Sequence, residues 1–225
     1  MVHECTYIGF VGTDKHDLIL YLARILHHLG KKVLIFDGSE TGALTACVPC
    51  PDGLENSIIE YRGLNFANIR RYHGSLNEEL LNLGTEIILA DYGYEMNEKD
   101  AGSVNHMIYV TDQQKHNIER LLPVATYKCE SKYLIVRDTV GYKIGPESIK
   151  VELGLYDIPE GRTFSIFHDE VDAKYKLKCQ YEIIFSFKKL SMTAKNALKG
   201  LIKEVFPDTD NKALALAFRK AEKGV

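Results

Sequence analysis

A doubly wound α/β domain, with a mostly parallel sheet flanked by helices on both faces, is the fold class this sequence predicts. Three observations carry that reading. Short continuous apolar runs recur along the chain: Tyr7 to Val11, Val33-Leu34-Ile35-Phe36, Ile87-Ile88-Leu89-Ala90, Met107-Ile108-Tyr109-Val110 and Tyr133-Leu134-Ile135-Val136. Polar or turn residues bound each run, and their β-branched content suits parallel strands covered on both faces. Helical stretches lie between them, and strand alternating with helix is the grammar of a parallel sheet. Finally, 225 residues suffice for one large domain whose core needs neither disulfide nor metal.

The elements follow in order. After the first run, Leu18, Leu22, Ile25, Leu26 and Leu29 recur at helical spacing until Gly30 supplies a C-terminal stop. The second run then begins at Val33, and the pattern repeats through the later runs. Near the C-terminus, Asp210 can cap a helix with Leu214, Ala217, Phe218 and Ala221 on one side. No internal repeat, low-complexity tract or Pro/Gly/Ser linker divides the chain. The expected organisation is one α/β domain over residues 1–207, with 208–225 as a detachable helical tail.

Composition excludes several classes. A formal net charge of -3 and a pI near 6.2 do not suggest a nucleic-acid binder, which would show a concentrated basic footprint. The local cluster Lys174 to Lys178 with Lys188-Lys189 reads as a solvated face. The apolar runs fall far short of the ~20 residues a membrane-spanning helix requires, and no secretory leader pattern opens the chain. Five scattered cysteines, an odd number, agree with a reducing compartment, so a cytoplasmic protein is expected.

In a doubly wound sheet, ligands bind beyond the carboxyl ends of the strands. Those positions are Gly12 to His16, Asp37 to Gly42, Asp91 to Tyr94, Thr111-Asp112 and Arg137-Asp138. The first of them sits where a phosphate-binding loop belongs. Such a loop reads G-x-x-x-x-G-K-[ST], because small residues let backbone N–H groups wrap the phosphates while the lysine and hydroxyl hold the terminal phosphate and Mg²⁺. In Gly9-Phe10-Val11-Gly12-Thr13-Asp14-Lys15-His16, Gly9 and Lys15 fit. Asp14 replaces the second glycine and His16 the hydroxyl, so a carboxylate stands where phosphate needs positive space, and nitrogen where Mg²⁺ prefers oxygen. Lys15 has two readings, a contact in a weak anion site at a helix N-terminus or a solvated lysine in a surface loop, paired with an Asp14 that could also cap the helix. Asp91 likewise reads as a metal-holding carboxylate or as a strand-end acceptor of backbone N–H groups.

Leu22-Ala23-Arg24 and Gly30 to Asp37 resemble the first helix and second strand of the MinD/ParA family of P-loop ATPases, which carry a deviant Walker A loop and have a three-layer α/β/α fold. Asp37-Gly38-Ser39-Glu40-Thr41-Gly42 resembles the family's first switch, Thr85 to Tyr94 its Walker B strand, and Tyr109 to Asp112 its next strand end. Ile158-Pro159-Glu160 resembles the turn after the last core strand, and Leu190 to Phe206 the closing helix. The resemblance covers roughly residues 5 to 206. It implies Lys15 at the phosphate lysine and Asp91 at the Walker B aspartate. The signature lysine that reaches across the dimer falls at Phe10, the water-orienting switch aspartate at Ser39, and the adenine-reading asparagine at Arg137.

With those parts changed together, turnover is not expected, because phosphoryl transfer depends on positioning and charge neutralisation. Residual nucleotide contacts, if any, fall to Gly9, Gly12, Lys15, His16, Asp91 and Arg137, and switch-like positions to Asp37, Ser39 and Gly42. No cofactor is expected, with ATP and Mg²⁺ as the alternative. The resemblance implies a pseudo-ATPase acting as a scaffold or localisation factor for a pilus, secretion or other membrane-associated machine, akin to the TadZ/CpaE-like proteins of pilus assembly. It would act through protein partners, with a homodimer as a further option. An active nucleotide-dependent dimerisation switch is the alternative. Membrane docking by the tail is also implied, although its short alanine-rich apolar face favours packing on the domain or a partner.

A third reading rests on Cys47-Val48-Pro49-Cys50, whose C-x-x-C spacing supports a redox dithiol or half of a dimer-bridged metal site, against a loop with two free thiols. His27 and His28, adjacent on the first helix, are expected not to face one another. Tyr92 and Tyr94 read as core and rim aromatics, with a cover over the site as the alternative.

Overall fold

The computed structural model describes residues 5–49, 58–68 and 84–223. Its strands are β1 (Thr6–Gly12), β2 (Val33–Asp37), β3 (Ile59–Tyr61), β4 (Leu64–Asn68), β5 (Ile87–Asp91), β6 (His106–Thr111), β7 (Ser131–Thr139) and β8 (Thr163–Phe167). They form one sheet in the order β3-β4-β2-β5-β1-β6-β7-β8. Neighbours pair in parallel except β3 with β4. The described helices are α1 (His16–His28), α2 (Glu98–Gly102), α3 (Lys115–Ala125), α4 (Pro146–Glu152), α5 (Glu170–Tyr181), α6 (Met192–Val205) and α7 (Asn211–Glu222).

Strand burial explains the apolar runs. β2 and β5 are buried at every position, so both faces select apolar side chains up to the aspartates that end them. One core lies between the sheet and α1, α5, α6 and α7; the other lies under α2, α3 and α4. The three-layer α/β/α arrangement is therefore as the patterning predicts. β3, β4 and β8 do not appear among the continuous runs because polar residues, Glu60, Asn65, Thr163 and Ser165, interrupt them. β3 and β4 form a hairpin whose two turn residues, Arg62 and Gly63, both take positive φ, the geometry of a tight two-residue connection.

Two sequence expectations need correction here. Ile158-Pro159-Glu160 precedes the last strand rather than following it, since β8 begins at Thr163. β8 pairs only with β7, and its Thr163-Phe164-Ser165-Ile166-Phe167 alternation hides it from a search for continuous apolar runs. The segment from about Asp208, read as a detachable tail, is built into the domain. Asp210 caps α7 by accepting from the Ala213 amide at 2.8 Å. Leu214, Ala217, Phe218 and Ala221 join the same core as α1, with Phe218 edge-on to Phe187 at 5.3 Å and Phe187 against Tyr21 at 5.0 Å. That apolar face is consumed by packing. No described helix is long and apolar enough to cross a membrane.

Candidate functional site

The site grows from the end of β1, where the sheet order reverses direction between β5 and β6. Sequence reading placed a loop from Gly9 to His16; the structure shortens it to Thr13–Lys15. Phe10 and Val11 are wholly buried and belong to the opposite cores, so both faces hold the chain in the sheet past Gly9. Gly9 itself pairs with Ala90 and Met107 in mid-strand. The strand continues to Gly12, whose amide donates to the Gly93 carbonyl at 2.6 Å, and the Thr13 amide donates to the Val110 carbonyl at 2.9 Å. Two donors that a phosphate-wrapping loop would turn toward ligand are thus spent on the protein.

Gly12 has no substitute. Its φ is +114°, and a Cβ there would collide with the Val110 carbonyl. Gly12→Ala is expected to cost about 2–3 kcal/mol from backbone strain and overpacking, read as a lower urea midpoint.

Lys15 is the next closure. Its Nζ lies 2.7 Å from Asp91 Oδ1 and donates to the Gly12 carbonyl at 2.9 Å, with both side chains 3% exposed. Asp91 Oδ1 also accepts from the Gly93 amide at 2.8 Å. Asp14 does not pair with Lys15; it is exposed and faces Lys176 at 3.6 Å. Nor does it cap α1, whose N-cap residue is Lys15 with no side-chain cap bond. His16 is buried, with Nε2 only 3.5 Å from the Lys176 carbonyl and Nδ1 lacking a hydrogen-bond partner among the described residues.

Arg137 points inward rather than toward the strand-end crevice. It holds Asp17, in the first turn of α1, through two bonds of 2.8 and 3.1 Å, and donates to the Asp14 carbonyl at 2.6 Å. Burial alone would raise the Asp17 carboxyl, but the Arg137 charge and its N–H donors offset this and hold it below its ordinary value. Asp37 is equally occupied. Its carboxylate accepts from the Ser39 amide and hydroxyl and from the Thr45 amide and hydroxyl, at 2.7 to 3.2 Å. Gly42, at φ +63°, donates its amide to Ser39 Oγ, so the switch-like segment is a hydrogen-bonded turn.

A cleft of about 150 Å³ remains at this end of the sheet, lined by Gly12, Asp14, Lys15, His16, Asp91 and Tyr94 among the residues singled out from sequence. Gly9, Asp37, Ser39, Gly42 and Arg137 do not line it. Sequence reading missed Asn117 and Arg120 on α3 as cleft residues, and it quoted Glu40 without assigning it a role. The flag that could have found Asn117 is Thr111-Asp112, since Asn117 Nδ2 donates to the Asp112 carboxylate at 3.0 Å. Tyr94 lines the cleft as a rim aromatic, while Tyr92 is buried with its hydroxyl 2.6 Å from that of Tyr7.

Cys47 is buried in a 3-10 turn, Thr45–Cys47, and its thiol donates to the Ala43 carbonyl at 3.2 Å. Burial pushes that thiol well above its ordinary range, the reverse of a reactive or metal-binding cysteine. Cys50 lies outside the described residues, among which no cluster of three or more His, Cys, Asp or Glu could hold a metal. His27 and His28 do meet, contrary to expectation, with ring centroids 5.4 Å apart in an edge contact.

No protein-family model and no curated protein matches the sequence. Solved structures do match it. The MinC:MinD cell division protein complex of Aquifex aeolicus aligns with TM-score 0.59 and 16% identity over 92% of this chain and 98% of that one. A ParA family ATPase from Chlorobium tepidum TLS aligns at 0.51 and 12% identity over 97% of each chain. The structure of pNOB8 ParA bound to nonspecific DNA aligns at 0.54 and 13% identity over 92% of this chain and all of that one (100%). At such identities the likeness speaks to architecture alone: this chain has the three-layer, P-loop NTPase-like fold of the MinD and ParA ATPases.

Proposed function

We propose that this chain is a pseudo-ATPase on the MinD/ParA fold, working as a scaffold or localisation factor through protein–protein contacts without nucleotide. One observation carries the reading. The phosphate lysine and the Gly12 and Thr13 amides are satisfied from within, by Asp91, Gly93 and Val110. A ligand would have to displace a buried ion pair and two backbone hydrogen bonds before reaching Lys15 or those two amides. Mg²⁺ and ATP do not fit the residues present. The hydroxyl position is a histidine, Asp91 is committed to Lys15, and a cleft of about 150 Å³ is smaller than the ~300–1,000 Å³ typical of ligand pockets.

The partner is taken to be protein rather than DNA, because the net charge of -3 offers no broad basic footprint. A pilus, secretion or other membrane-associated machine is the setting the family resemblance suggests, and it rests on that resemblance alone. With Phe10 buried at the position of the cross-dimer lysine, any homodimer would form without ATP.

Calorimetric titration of the whole chain with ATP and Mg²⁺ is expected to give no saturable heat, and sedimentation to give the same mass with and without nucleotide. Submillimolar binding, or a nucleotide-dependent dimer, would overturn the proposal in favour of an active switch.

A further inference from the structure

Strands β2, β5, β1 and β6 lie side by side, so the end of β1 is flanked by the ends of β5 and β6. Glu40 follows β2, and Arg120 sits on α3, the helix after β6. A contact between the two bridges the cleft that the Thr13–Lys15 link also lines. That contact exists, with Arg120 Nη2 at 3.5 Å from Glu40 Oε1.

Both partners are positioned by neighbours. The Glu40 carboxylate rests on Gly93, at φ +57°, so closely that a Cβ there would collide with Oε2. Arg120 lies over the Tyr94 ring at 3.7 Å from its centroid, and the Tyr94 hydroxyl donates to Asn117 Oδ1 at 3.1 Å. Glu40 and Arg120 line the same cleft as Lys15 and His16. An entering phosphate would therefore meet a carboxylate already held by the most accessible cation of the cleft, and like charges at contact distance repel.

We propose that Glu40, held by Arg120, keeps phosphate-bearing ligands out of this cleft, where the exposed Asp14 adds a second negative charge. The Glu40 carboxylate stands beside Gly93 in the cleft it shares with the start of α1, clasped by Arg120, and its removal opens a site for a phosphate or pyrophosphate anion on Arg120 and the α1 N-terminus. The inference rests on the reading that the native chain binds no nucleotide, and deepens it by naming what enforces the exclusion.

Pyrophosphate titrations of the full chain separate the two. Wild type should give no saturable binding, Glu40→Gln and Glu40→Ala should bind at least about tenfold more tightly than wild type, and adding Arg120→Ala should remove the gain. Amide exchange at Gly93 and Tyr94 should also speed up in Glu40→Gln, which keeps the side chain's size and should fold. Binding by wild type would sink the nucleotide-free reading. Wild-type exchange and no pyrophosphate binding in Glu40→Gln, with wild type also silent, would sink the clasp and leave that reading standing.

Discussion

Lys15→Met is expected to cost about 3–5 kcal/mol of folding stability, because it leaves the Asp91 side chain buried with its counter-charge gone. Asp91→Leu should cost a similar amount by stranding Lys15. The double variant Lys15→Met/Asp91→Leu removes both charges and should recover most of the loss, since a buried ion pair is worth little against apolar groups of similar volume. Urea denaturation of the four proteins closes the cycle. The contrast with a ligand-serving lysine is what makes the experiment informative. A lysine held out for phosphate would lose binding when replaced and leave the fold nearly untouched. Single variants within about 1 kcal/mol of wild type would mean that the pair behaves like a surface contact and that the closed-loop account is wrong.

Arg137→Gln carries the second large effect. Asp17 is buried, and two guanidinium bonds satisfy its carboxylate. Losing them should cost about 3–5 kcal/mol near neutral pH. The pH dependence should also invert. In wild type the depressed Asp17 carboxyl contributes stability that is fully present above its ordinary value of 3.8 and is lost as pH falls through the lower folded value. In Arg137→Gln burial, the largest influence, is opposed only by the lesser effects of His16 and Lys176, and it raises the carboxyl. The folded state then prefers the protonated form, so stability falls as pH rises from about 4.5 to about 7. Urea midpoints at the two pH values test the sign. A variant that keeps its stability across that range would show that Arg137 is not what holds Asp17 ionised.

Legibility in the sequence followed burial. Strands such as β2 and β5, buried on both faces, announce themselves as apolar runs, and α7 was readable from Asp210 and its apolar spacing. Edge elements were harder: β8 alternates, and the β3–β4 hairpin turns on Arg62 and Gly63, which carry no apolar signal. In the site, the substitutions at Phe10, Asp14 and His16 were visible against a phosphate-loop pattern. Their consequence was not, because the pattern assumes a loop, whereas burial of Phe10 and Val11 on opposite faces extends the strand to Gly12.

Residue types and spacing were enough for the layered α/β fold, since periodicity records which faces are buried. The family resemblance added Lys15 and Asp91 as the charged positions a phosphate site would keep. Which charge answers which was beyond them. Lys15 could face phosphate, Asp14 or Asp91, and Arg137 could face solvent or Asp17, as far as spacing goes. Those pairings join residues 76 and 120 positions apart. They exist because parallel strands bring their carboxyl ends together at one edge of the sheet, a proximity that no local pattern encodes.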